Sequence, residues 1–335
     1  MAATIDDVAK KAAVSTATVS RALRGLPNVA SSTRDHILAI AKELDYVVGP
    51  RASRAVSGSK RVAVITPLVD QWFFSKITTI IMIKLIAAGF DAVRFGVDGI
   101  KDQSKQIEQI LQQGLVDAII VVSYPLEDIA IKNLQMHKVP CVTLESSTGV
   151  FPSVFINNVA AAELATQHLV NLGHRRIGFI SSTKVNEAIE GLSILDARRE
   201  GYRSALAKAG IEYDEVLELS GNDVYEGGAE AMKQLYLLAQ PPTAVFAASD
   251  EMAVGAMKTI RDLNLSVPRD VSIVGFDDND LAHYVGLTTI RQPVTLYGEL
   301  AADKLITCLA GNDCLERDTE LSFEIILRTS TGPAK

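Results

Sequence analysis

An α/β protein with parallel sheets, preceded by a small all-helical unit, is what these 335 residues predict. Three observations carry the prediction. From Arg61 onward, short β-rich apolar runs alternate with helical patterns, the signature of parallel strands covered by helices on both faces. Before Arg61, apolar residues recur instead at three and four positions, the spacing of helices. Charge divides at the same point: residues 1 to 61 hold ten Lys or Arg against five acids, a net of +5, so the remainder of a chain of overall charge −7 carries −12. A small basic head on an acidic body suits contact with phosphates at one end only.

The head reads as three helices. Thr4 stands as an N-cap before Ile5-Asp6-Asp7-Val8-Ala9, with acids in the first turn and Ile5, Val8, Ala9 and Ala12 on one face. After Ala13-Val14, Ser15 caps a second helix from Thr16 to Leu23, with Val19, Ala22 and Leu23 inward and Thr16, Ala17, Ser20 and Arg21 outward. Two short helices so tightly joined form a helix-turn-helix. A third helix, Ser32 to Leu44, is expected to bury Ile37, Leu38, Ile40, Ala41 and Leu44, with Asp45 where the chain leaves it. Residues 46 to 60, rich in Gly, Ser and Arg, read as a linker. The expected division is headpiece 1–47, hinge 48–60 and core 61–335.

The run TIDDVAKKAAVSTATVSRAL from Thr4 to Leu23 resembles the lactose-repressor (LacI/GalR) family nearly residue for residue. The resemblance implies a transcriptional regulator that reads double-stranded DNA. It places Thr16, Ala17 and Arg21 at base edges in the major groove and Thr4, Ser15 and Thr18 near phosphates. The chemistry agrees, because Arg forks onto guanine O6 and N7, a small side chain rests on a thymine methyl, and helix N-termini attract phosphate. In the family the linker holds a hinge helix that wedges the minor groove at the centre of a palindrome. Here Ala55 stands at the wedge position and Ala52 keeps the family's small residue, while Val48-Gly49 replaces Pro-Asn and Ser53 replaces Arg. Alanine is a poor wedge; Arg51 and Arg54 suit a narrow minor groove.

In the body, strands are expected at Val62–Thr66, Asp91–Phe95, Ala118–Val122, Val139–Leu144, Arg176–Ser181, Ala244–Ala248 and Val271–Gly275. So long a stretch exceeds one sheet, and the family precedent is a two-lobed core like that of periplasmic binding proteins, with the ligand between lobes at the carboxyl ends of strands. The resemblance continues in order through Pro67–Phe74, Leu172–Ile177, Arg198 with Gly201-Tyr202, Ser249–Gly255, Gly275–Asp278 and Leu287–Pro293. By position it nominates Trp72, Phe73, Arg198, Ser249, Asp250, Asp277 and Gln292 for a small effector, with Tyr225 and Glu145 as weaker candidates. Carboxylates, amides and Arg pair with hydroxyls and an aromatic face covers a ring, which favours a sugar. Ser249 stands where the family commonly has Asn. A structural role stays open for several of these: Asp250 as a helix cap, Phe73 and Phe74 as core, and His174 in its turn. A purine effector or a phosphorylated carrier protein as corepressor also stays open.

No apolar stretch reaches the length of a membrane span, and the N-terminus lacks a basic and apolar leader, so the expected compartment is the cytoplasm. Cys141, Cys308 and Cys314 make neither a disulfide framework nor a zinc motif, and the five histidines have no metal-ligand spacing. The run Asp277-Asp278-Asn279-Asp280 lacks EF-hand spacing and reads as a cap or loop. No cofactor or catalytic motif is found. A solute-binding protein would need a signal peptide and no basic head; a sugar hydrolase would need paired carboxylates in acid and base roles. The sequence therefore predicts a homodimeric, sequence-specific regulator, a repressor, without catalysis, whose two heads read a near-palindromic operator.

Overall fold

The computed structural model describes residues 4–23, 29–44, 46, 60–182, 194–311 and 317–335, the side chains of 194 and 195 excepted. The expectations for Arg51, Ala52, Arg54 and Ala55, and for Asp45, Val48, Gly49, Ser53 and Cys314, lie outside them.

The head holds α1 (Ile5–Lys11), α2 (Thr16–Leu23) and α3 (Ser31–Glu43). Thr4 and Asp7 form a reciprocal capping box: the Thr4 hydroxyl accepts from the Asp7 N–H at 3.3 Å, and the Thr4 N–H donates to the Asp7 carboxylate at 2.8 Å. Ser15 accepts from the Thr18 N–H at 3.1 Å at the start of α2. Between the two helices Ala13 takes a left-handed conformation, φ 53°, which reverses the chain in one step. Val8, Ala9, Ala12, Val19, Ala22, Leu23, Ile37, Ile40 and Ala41 form the buried core. Leu38 and Leu44, expected inside, are only partly buried at its rim.

The body forms two six-stranded sheets. The first, in the N-lobe, has the order β11-β5-β4-β3-β1-β2 and is wholly parallel, built from β1 (Arg61–Pro67), β2 (Asp91–Val97), β3 (Ala118–Val122), β4 (Cys141–Leu144), β5 (Ser153–Ile156) and β11 (Asp318–Leu321). The second, in the C-lobe, has the order β12-β10-β9-β8-β6-β7, built from β6 (Ile177–Ser181), β7 (Glu218–Ser220), β8 (Ala244–Ala247), β9 (Ser272–Asp277), β10 (Thr288–Arg291) and β12 (Glu324–Ile326); only β12 runs antiparallel. Strand order reverses beside β1 in one lobe and beside β6 in the other, which opens a crevice at the carboxyl ends of the neighbouring strands. The chain changes lobe at 156–158, 291–294 and 321–324.

Helices α4 (Trp72–Ala87), α5 (Ile100–Gln113), α6 (Asp128–His137) and α12 (Val294–Leu309) cover the N-lobe sheet, with α12 packed on α4. The C-lobe carries α7 (Asn158–Asn171), α8 (Ile194–Lys208), α9 (Tyr225–Tyr236), α10 (Asp250–Asp262) and the short α11 (Asp280–Tyr284). All seven expected strands are present within two residues of their expected ends; β5, β7, β10, β11 and β12 were not foreseen. His174 is a structural hub, as its turn position suggested. It bonds Thr243 Oγ1 at 2.9 Å, Ser272 Oγ at 3.1 Å and the Gly332 carbonyl at 3.1 Å, tying the C-terminal segment to the base of the C-lobe.

Helices α9 and α10 approach so closely that a side chain at Gly255 would lie 1.9 Å from the Tyr225 carbonyl oxygen, and one at Gly228 would lie 2.2 Å from that of Met252. The obstruction is backbone on both sides, so neither helix can yield locally. Gly255→Ala is therefore expected to lower unfolding stability by about 2–3 kcal/mol, measured by urea denaturation with an unchanged m-value.

Candidate functional site

On the head, packing of Val19, Ala22 and Leu23 into the three-helix core leaves Thr16, Ala17 and Arg21 exposed on the opposite face of α2. Ser15 and Thr18 share a hydrogen bond of 2.8 Å between their hydroxyls at the helix start. The Thr4 hydroxyl is held by Asp7 within the capping box. The α2 N-terminus and one exposed arginine thus present a single face of backbone donors and a guanidinium.

The second site lies where strands of both lobes end. Arg198, on α8, is 7% exposed. Its Nε donates to Asn158 Oδ1 at 3.1 Å, its Nη1 donates to the Ala248 carbonyl at 2.6 Å, and its guanidinium lies 3.7 Å over the Phe276 ring. Nη2 stands 3.9 Å from Asp277 Oδ1. Asp277, the last residue of β9, holds φ 117°, a conformation rare for a side-chain-bearing residue, which turns its carboxylate back toward Arg198. Gln292 Nε2 donates to the same Oδ1 at 2.6 Å, and Gln292 Oε1 is buried without a partner. Burial lifts the Asp277 carboxyl well above the ordinary range, with Arg198 opposing. Arg198, Asp277 and Gln292 are therefore brought together as nominated.

Ser249 and Asp250 have other occupations. Ser249 caps α10, accepting from the Met252 N–H at 3.3 Å. Asp250, fully buried, accepts from the Asn279 N–H at 2.7 Å and the Thr289 hydroxyl at 2.6 Å. It fastens α10 to the loop after β9 and to β10, and burial pushes its carboxyl up to about 8 against those two bonds. The acidic run that follows is equally committed: Asp278 takes Arg291 and Arg328, each at 2.6 Å, and Asn279 caps α11. Among the described residues no cluster of His, Cys, Asp or Glu is arranged for a metal.

The N-lobe supplies the opposite wall and a latch. Trp72 opens α4; its N–H donates to Glu251 Oε1 at 3.1 Å and its indole Nε1 donates to Asp280 Oδ2 at 3.0 Å, so both bonds cross to the C-lobe. Lys76 adds an exposed ion pair to Asp280 at 3.9 Å. Phe73 turns inward and packs edge-on against Phe74 and Tyr297, in the hydrophobic core. Glu145, one residue past β4 at φ 62°, accepts from Ser123 while its Oε1 is buried without a partner. Burial raises its carboxyl, and the charges of Arg198 and the Ser123 bond pull against that rise.

Sequence reasoning marked Asn158 only as half of the Asn157-Asn158 pair that stands at the family's Asp-Asn position, and it nominated none of Ser182, Asp223, Glu251 and Tyr297 for the site. Ser182 donates to Asp223, and both Asp223 and Glu251 feel the charge of Arg198. Their signal was positional: Ser182 follows β6 and Glu251 lies in the first turn after β8, at the same sheet edge as Ser249 and Asp277.

Removing the Asp250 carboxyl in Asp250→Ala leaves two buried donors unpaired and is expected to cost about 2–3 kcal/mol. Asp250→Asn keeps an acceptor and removes the titration. Because the folded carboxyl titrates far above its unfolded value, its stabilising share is complete below that unfolded value and is lost as pH rises toward about 8. The wild-type chain should therefore lose stability relative to Asp250→Asn between pH 4 and 8, with the difference flattening above; parallel denaturation series at each pH measure it.

The geometry has counterparts among known proteins. Residues 4–48 match the model of bacterial regulatory proteins of the lacI family, and residues 166–331 match the periplasmic binding protein-like domain. The HTH-type transcriptional repressor CytR of Escherichia coli K12 is 34% identical over 335 residues, covering 98% of this chain and 96% of its own. The structure of the lac repressor dimer bound to operator and the anti-inducer ONPF superposes with a TM-score of 0.72 at 28% identity, covering 99% of this chain and 100% of that one. The transcriptional regulator CelR in its cellobiose complex gives 0.69 at 30% identity, over 98% and 99% of the two chains. These relatives are regulators and not enzymes. Head, paired parallel sheets and full-length similarity together make this chain a member of the LacI family of DNA-binding transcriptional regulators.

Proposed function

We propose that the protein is a homodimeric repressor whose affinity for a near-palindromic operator is set by a small effector, a sugar, bound between the lobes. The observation that carries this reading is the buried group of Arg198, Asp277 and Gln292 at the strand ends, where Gln292 Oε1 has no partner within the protein. A buried, unpaired acceptor costs free energy that a ligand hydroxyl recovers. Cellobiose in the complex of its relative CelR is a precedent for a sugar in this fold.

In this reading Thr16, Ala17 and Arg21 read base edges, Thr4, Ser15 and Thr18 lie along phosphates, and Arg51, Ala52, Arg54 and Ala55 follow into the minor groove. Pairing of two heads follows from α4. Its buried face carries Ile77, Ile81 and Leu85, yet Ile83 and Ile86 are 63% and 58% exposed on the other side. A helix apolar on both faces suits burial against a second copy. The latch from Trp72 to Glu251 and Asp280 starts on this same helix, so lobe closure and the dimer face share one rigid element. An effector that binds one lobe arrangement better than the other shifts the spacing of the two heads.

The test is selection of an operator from random duplexes with the full-length protein, followed by anisotropy titrations with and without ligands that raise its melting temperature. A two-fold symmetric site whose affinity changes with such a ligand supports the reading; a ligand that binds the body and leaves operator affinity unchanged sinks it. Arg21→Ala should weaken operator binding by about 5- to 150-fold and relax the preference at one base pair per half-site. Ile83→Glu combined with Ile86→Glu should sediment as a monomer and lose operator binding at nanomolar concentrations.

A further inference from the structure

We infer that Glu145 is a proton sensor of lobe closure: it carries a proton when the lobes are shut and gives it up when they part, so acid favours the closed arrangement and base the open one. The proton is then a second input to the lobe equilibrium proposed above, beside the effector, and the inference rests on that equilibrium.

Carboxyl groups outnumber cations where the lobes meet. The C-lobe contributes Asp223, Glu251 and Asp277, each of which feels the charge of Arg198. Glu251 and Asp277 are buried and Asp223 is half-buried. The neighbouring cations are paired elsewhere: Arg291 and Arg328 hold Asp278, and Lys76 faces Asp280. The three acids and Arg198 all belong to the C-lobe, so they stay together whichever way the lobes stand.

Glu145 is the exception. It lies one residue past β4 in the N-lobe, away from the three crossovers, and meets the charge of Arg198 only across the cleft. Its Oε1 is buried without a partner, and its other oxygen accepts from Ser123 of the same lobe. The Tyr297 phenol, on α12, also feels its charge. An ionised carboxylate with one oxygen shut off from water and no donor beside it is costly. It would also bring a fourth negative charge to a single guanidinium. The carboxylic acid removes both costs and supplies an O–H donor to a site where Gln292 Oε1, beside Asp277, is an unpartnered acceptor.

Burial raises the Glu145 carboxyl, and Arg198 and Ser123 oppose the rise without cancelling it. Parting the lobes hydrates the group and returns it toward the ordinary carboxylate range. The closed form therefore binds the extra proton. Its advantage is complete below that ordinary range and is lost as pH climbs through the raised value of the closed form. Asp250 also titrates late, but Thr289 and Asn279, which hold it, lie within the C-lobe, so parting the lobes leaves it as it is.

Trp72 is the sole tryptophan, and both of its N–H groups bond across the cleft, to Glu251 and Asp280, so its exposure reports the latch. Quenching of its emission by acrylamide, an uncharged quencher, is measured on the full-length protein without ligand, from mildly acidic to mildly alkaline pH. Quenching should rise through one transition as pH climbs, the open-to-closed ratio changing by at most about tenfold per pH unit for one proton, while far-ultraviolet dichroism stays constant. Glu145→Gln, uncharged at every pH and of the same shape, should stay weakly quenched throughout. Ser123→Ala, which removes the donor that favours the ionised form, should move the transition to higher pH. Flat quenching in the wild-type chain overturns the inference, as does a wild-type transition retained in Glu145→Gln or an unmoved midpoint in Ser123→Ala. Operator affinity is read in the same samples. A transition that Glu145→Gln abolishes, with operator affinity tracking pH identically in both proteins, sinks the proposed function and leaves the sensor standing. Effector-controlled operator affinity with flat quenching does the reverse.

Discussion

Taking a guanidinium out of water is expensive unless it is paired, and the upper edge of the C-lobe is organised around holding that of Arg198. Its four partners come from three places in the chain: Asn158 at the start of α7, the carbonyl of Ala248 after β8, and the ring of Phe276 with the carboxylate of Asp277 on β9. One side chain from α8 therefore fixes the relative heights of two strands and a helix. Gln292, immediately past β10, joins the same network through Asp277. Beside it, Asp250 sets the loop after β9 and the start of α11 by hydrogen bonds of its own. The cleft wall is thus a consequence of how the C-lobe closes its sheet at this edge.

The head was legible almost to the residue because its signals are local: a capping box, a serine cap and apolar spacing over three short helices. Strands such as β1, β3 and β8 were legible because they are buried on both faces and read as unbroken apolar runs. The strands that escaped are short or lie toward sheet edges. In β7 and β12 no residue is fully buried, and β11 is exposed at two of four positions, so their pairing comes from the sheet they join and leaves little imprint on sequence.

Within the cleft, Arg198, Asp277 and Gln292 were readable only through family resemblance; no local pattern marks them. The other members of the network were silent for a physical reason. Glu251 looks like an exposed first-turn acid and Asp223 like a turn residue until folding carries them to one edge. Asp250 illustrates the converse, since a carboxyl in a recognised motif serves as an internal brace with both oxygens taken. Trp72 was assigned to the cleft for its aromatic face, whereas its N–H groups make the contacts that join the lobes.

Asp277, Glu145, Ser123 and Asp223 all sit at positive φ, in regions that glycine occupies freely and other residues enter at a cost. Each of these positions sits at the cleft, and three of the four are the acids themselves. Placing glycine there would relieve that cost and at the same time remove the side chains that line the strand ends. Directed evolution that screens only for heat resistance would therefore be expected to strip the polar side chains from this edge while leaving the fold intact.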